Sequence, residues 1–89
     1  MHELSIALEV CRIAESRLPP GGCGRLCEVG LVVGDEAGIE VANLEFCLEA
    51  LLAAPPFGSA RPAISRTAGT ELRVDYLEVD DGRTDDRGS

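Results

Sequence analysis

The stretch Arg25-Leu26-Cys27-Glu28-Val29-Gly30-Leu31-Val32-Val33 decides the fold. Cys27, Val29, Leu31 and Val33 recur at every second residue, with Glu28 and Gly30 on the opposite face. That is the period of a β-strand. Gly34 to Gly38 is the turn that follows it, and a second helix is expected from about Ile39 to Ala53. It would bury Val41, Leu44, Cys47, Leu48 and Leu51, and Pro55-Pro56 stops it. Upstream, residues 4 to 18 repeat with the helical period. Leu4, Leu8, Cys11, Ala14 and Leu18 form the apolar stripe, Ile6, Val10 and Ile13 widen it, and Ser5, Glu9, Arg12 and Ser16 oppose it. Pro19-Pro20-Gly21-Gly22 ends that helix.

Beyond the second helix, Pro62 excludes its segment from a central strand, which leaves Ala63 to Thr67 as a possible edge strand. Ala68-Gly69 reads as a tight turn, and Glu71 to Val79 as a strand. Leu72, Val74 and Tyr76 share one phase there, whereas Leu77 and Val79 take the other, so a bulge near Tyr76 or two covered faces are expected. Asp80 to Ser89 holds four Asp, two Gly and no apolar residue, and is expected to be an acidic disordered tail after a domain spanning residues 1–79. The expected fold class is α+β, with two helices packed on one face of a small mixed three-stranded sheet.

The 89 residues suffice for one small domain. Apolar residues make up 45% of them but aromatics only 3%, so the core must be largely aliphatic. All 8 basic residues are Arg, against 16 acidic ones, and the formal net charge of −8 argues against nucleic-acid or anionic-membrane partners. No apolar run approaches the ~20 residues of a membrane span, and no basic segment precedes an apolar one at the start. A soluble, cytoplasmic protein is therefore expected. In a reducing compartment Cys11, Cys23, Cys27 and Cys47 are most simply buried free thiols. A metal role for the C-x3-C pair Cys23 and Cys27 is the alternative, with disulfides behind it.

Catalytic groups are scarce. His2 is the single histidine, and without Lys there is no P-loop lysine. The start of the chain carries the sharpest chemistry. Met1-His2-Glu3 places an α-amine, two backbone amides and an imidazole within a few bonds of one another. Planar nitrogen donors in fused rings suit Ni(II) or Cu(II) rather than Zn(II) or Mg(II).

The opening Met1-His2-Glu3-Leu4-Ser5-Ile6 resembles the start of the HypA/HybF family, the nickel metallochaperones of [NiFe]-hydrogenase maturation. Val29-Gly30-Leu31-Val32-Val33-Gly34-Asp35 is similar to the family's strand ending in Gly-Glu. Gly38-Ile39 followed by Leu44-Glu45-Phe46-Cys47-Leu48-Glu49 is similar to its Ser-Gly-Val turn and second helix. Gly69-Thr70-Glu71-Leu72-Arg73-Val74, ending in Leu77-Glu78-Val79, resembles its last strand. The family carries a zinc module with two Cys-x-x-Cys pairs between second helix and last strand, whereas residues 55 to 70 here contain no cysteine. Val41 and Ala42 also stand where the family usually has Pro-Glu.

The resemblance therefore implies a nickel-binding domain with the zinc module deleted. Met1 and His2 would be nickel ligands. Glu3 would supply an amide and a carboxylate for partner recognition or transfer. A HypB-type maturation GTPase and a hydrogenase large-subunit precursor would be the partners, with the chain a non-enzyme, monomer or homodimer. A degenerate paralogue serving as an interaction module, and metal trafficking through the thiols, are the competing expectations.

Overall fold

The computed structural model describes residues 3–80. The elements follow in the order α1 (Glu3–Arg17), a 3-10 turn (Cys23–Arg25), β1 (Leu26–Gly34), α2 (Val41–Leu52), β2 (Arg61–Thr67) and β3 (Leu72–Val79). The three strands form one sheet in the order β2-β1-β3, so β1 is central. β2 runs parallel to β1, with Leu31 opposite Ile64, and β3 runs antiparallel to it, with Leu31 opposite Val74. Parallel neighbours need a long crossover connection, and α2 provides it. The α+β class, with two helices and a mixed three-stranded sheet, is the one the sequence led us to expect.

The core brings Ala7, Val10, Cys11 and Ala14 of α1 against Leu44, Leu48 and Leu52 of α2. Leu26, Val29, Leu31 and Val33 of β1 complete it, and Phe57 and Ala60 join from the segment leading to β2. Two details of the expected faces change. Leu4 and Leu8 stay 53% and 51% exposed, because Ala7, Val10, Cys11 and Ala14 form the inward stripe at i, i+3, i+4 and i+7. At the entry to β1 it is Leu26 that faces the core, and Cys27 does not. A break in the pairing with β3 between Leu26 and Glu28 puts Cys27 out of the alternation.

A second irregularity resolves the mixed phase of β3. Gly30 pairs with Tyr76 but Leu31 with Val74, which leaves Asp75 as the extra residue of a bulge. Val74 before it and Leu77 after it can therefore both pack on the core. Tyr76 points the other way and covers Gly30. A β-carbon on Gly30 would lie 2.2–2.5 Å from three atoms of the Tyr76 ring.

The expected tight turn at Ala68-Gly69 is instead a crossover. β2 and β3 flank β1 on opposite sides, so the chain must pass over the end of β1 to join them. That passage is pinned by backbone bonds from Gly34 N–H to Glu71 O, Asp35 N–H to Thr67 O and Glu36 N–H to Gly69 O, at 2.6–2.7 Å. Gly34 has no side chain because the crossover backbone occupies that space, Gly69 O lying 2.2 Å from where a β-carbon would stand. At the other end of β3, Asp80 N–H donates to Arg25 O at 2.8 Å and Arg25 Nε donates to Asp80 O at 3.1 Å. Except for Asp80, the acidic tail lies outside the described residues.

Candidate functional site

Of the three expected metal-site residues, Met1 and His2 lie outside the described residues, and Glu3 is the first residue of α1. The first N–H groups of an α-helix have no acceptor within the helix. The Glu3 amide is therefore free of helical duty. It turns instead to Glu3's own carboxylate.

The Glu3 side chain is committed elsewhere. Its Oε2 accepts a hydrogen bond from the backbone N–H of Glu40 at 2.9 Å, and its Oε1 accepts one from Asn43 Nδ2 at 3.1 Å. Glu40 is the residue before α2, and Asn43 lies in that helix's first turn. The Glu40 amide first, and then the Asn43 amide, hold the Glu3 carboxyl below the usual carboxylate range. Sequence reasoning singled out Glu3 but missed both partners. Glu40 and Asn43 do stand at the spacing of a helix-start motif. Nothing local tells that the acid completing it lies 37 residues upstream.

The remaining candidates are thinner. All four cysteines are free thiols, with Cys11 buried and Cys23, Cys27 and Cys47 half-buried. Burial, and then the nearby Glu15 carboxylate, push the Cys11 thiol up. Among the described residues no three or more His, Cys, Asp or Glu side chains are gathered to hold a metal ion. A groove of about 410 Å³ runs between α1 and β3, lined by Ile6, Val10, Ile13, Leu31, Leu72 and Val74. Ser5, Glu9 and Arg73 also line it and are its polar groups. Among the described residues no helix is long and apolar enough to cross a membrane.

No family model matches the chain. Individual relatives do. The chain is 36% identical over 64 residues to the hydrogenase maturation factor HypA of Chlorobaculum parvum, an alignment covering 72% of this chain and 57% of that protein. It is 44% identical over 50 residues to the HypA of Chlorobium limicola, covering 56% of this chain and 43% of the relative. With the HypA of Parabacteroides distasonis it shares 33% identity over 61 residues, covering 68% and 53% of the two. The chain thus spans about half the length of the curated relatives it matches.

Proposed function

We propose, since this chain belongs to the HypA-like family, that it acts in hydrogenase maturation by holding Ni(II) as cargo at Met1, His2 and Glu3. The observation that carries the reading is the run of relatives named hydrogenase maturation factor HypA. The donors would be the Met1 amine, the amide nitrogens of His2 and Glu3, and a His2 ring nitrogen. Four nitrogens closing fused rings suit a planar Ni(II) ion. The Glu3 amide at the first position of α1 has no acceptor within the helix, only its own carboxylate, and is compatible with that set. A carrier needs to bind and release, so no catalytic group is required, and the chain is a non-enzyme on this reading.

The partners that go with this role are a HypB-type maturation GTPase and a hydrogenase large-subunit precursor, in the cytoplasm. Nucleic acid and membranes are not among them, in keeping with the net charge of −8. Zinc is not part of the reading. The relatives do not favour the alternative of an interaction module that carries no metal.

Isothermal titration of the untagged protein with Ni(II) is the test. Binding should be tighter than about 100 µM, the equivalent of roughly −5.5 kcal/mol, and His2→Ala should abolish the planar absorption band with the far-UV spectrum unchanged. A tag placed before Met1 should weaken binding at least tenfold, because it turns the anchoring amine into an amide. Affinity should also fall as pH drops from about 8 to 6, since the amine and imidazole, with ordinary pKa values near 7.7–8.0 and 6.5, must lose protons to bind. Nickel binding unaffected by both changes would remove the terminal site.

A further inference from the structure

The start of α2 lacks capping groups of its own. Glu40 stands at the N-cap with extended backbone and makes no side-chain cap bond, and the first turn of the helix carries no acid. In a capping box the third helical residue reaches back to the N-cap amide. Asn43 holds that third position, yet its side chain turns to Glu3 instead. Glu3 then bonds the Glu40 amide that a capping box would leave to Asn43. A residue from α1 is thereby inserted into the cap of α2. Its negative charge also falls at the positive end of the α2 dipole.

We propose that Asn43 is a positioning residue for the terminal metal site, acting on it through the Glu3 carboxylate. The inference rests on the nickel reading above. A planar nitrogen set tolerates little error in the direction of each donor, and the Glu3 amide nitrogen is one of the four. At an unrestrained chain start, that backbone would have to be ordered each time an ion binds. Here both carboxylate oxygens of Glu3 are held, one by the Glu40 backbone and one by Asn43. The residue is tied to a second helix before any metal arrives. Pre-organisation of this kind raises affinity without adding a contact to the ion. It also keeps the Glu3 carboxylate turned to α2 and beside Glu3's own amide N–H, the group whose proton nickel must displace.

Nickel titrations of the untagged wild type, Asn43→Ala, Asn43→Gln and His2→Ala test this, with the melting temperature of each metal-free protein measured alongside. Asn43→Ala should weaken nickel binding three- to tenfold at a temperature where the protein is fully folded. Asn43→Gln retains an amide donor and should recover most of that loss. At saturation all three proteins that retain His2 should show the same planar band, because no ligand has been removed. If Asn43→Ala fails to fold, Asn43→Asp replaces it, being of similar shape but without a donor and repelled by Glu3. A lowered melting temperature with wild-type nickel affinity would mean that Asn43 only caps α2, and would overturn the proposal. Wild-type protein whose binding ignores His2→Ala, or that binds no nickel, would sink the nickel reading and this inference together. His2-dependent binding that Asn43 variants leave unchanged would sink the inference alone.

Discussion

Gly30 and Gly34 lie four residues apart on β1, and neither adopts a positive φ. An alanine at either is therefore acceptable to the backbone itself. Their surroundings separate them. The β-carbon of Gly34→Ala would fall 2.2 Å from Gly69 O, 2.6 Å from Gly69 C and 2.7 Å from Glu71 N, all of them backbone atoms of the crossover. To make room the crossover must lift, and with it go the bonds that Gly34, Asp35 and Glu36 donate to Glu71, Thr67 and Gly69. At about 1 kcal/mol net per bond, the loss is about 3 kcal/mol. The stiffer unfolded chain returns about 0.4–1 kcal/mol, leaving a destabilisation of roughly 2 kcal/mol or somewhat more. With a urea slope near 1 kcal/mol/M for a small domain, the unfolding midpoint should drop by about 2 M. Gly30→Ala meets only the Tyr76 ring, a side chain 42% exposed that can swing aside. It forfeits only the exposed bond from Tyr76 to Glu28, which the gain in the unfolded state offsets. Urea unfolding followed by far-UV circular dichroism compares the two variants directly. A Gly34→Ala protein as stable as Gly30→Ala would refute the pinned crossover and the order β2-β1-β3 that requires it.

Three further outcomes follow from the packing and the surface. Leu48→Ala, at a fully buried position in the core cluster, should cost about 2–5 kcal/mol, and at ~4–8 °C per kcal/mol should lower the melting temperature by about 8 °C or more. A thiol reagent should modify Cys23, Cys27 and Cys47 of the native protein quickly and Cys11 slowly, since burial both shields that sulfur and raises its pKa; four equally fast thiols would contradict the α1 packing. The Tyr76 hydroxyl donates to the Glu28 carboxylate, which raises the tyrosine pKa above its ordinary value near 10. Its contribution to stability is complete below that unfolded value and is lost as pH rises through the higher folded one, so ultraviolet titration should show the late ionisation, and Glu28→Gln should bring it down.

Local pattern was enough to establish the elements of this protein. The alternation through Val29, Leu31 and Val33, the helical recurrence around Val10, Cys11 and Ala14, and the stops at Pro19-Pro20 and Pro55-Pro56 are properties of neighbouring residues. They are legible because burial of one face imposes a period on the chain itself. The nitrogens of Met1-His2-Glu3, proposed above as nickel donors, are legible because they are neighbours in the sequence. Tertiary structure decided what depends on residues far apart. Whether Leu4 or Ala7 faces inward depends on where α2 lies against α1, and Leu26 displaces Cys27 only because β3 pairs out of step there. Ala68-Gly69 has the composition of a hairpin turn, but it becomes a crossover because β1 takes the place between β2 and β3. The tie from Glu3 to Glu40 and Asn43 was equally hidden. A cap shared between two helices has no local signature, since the hydrogen bonds that make it exist only after the helices have met.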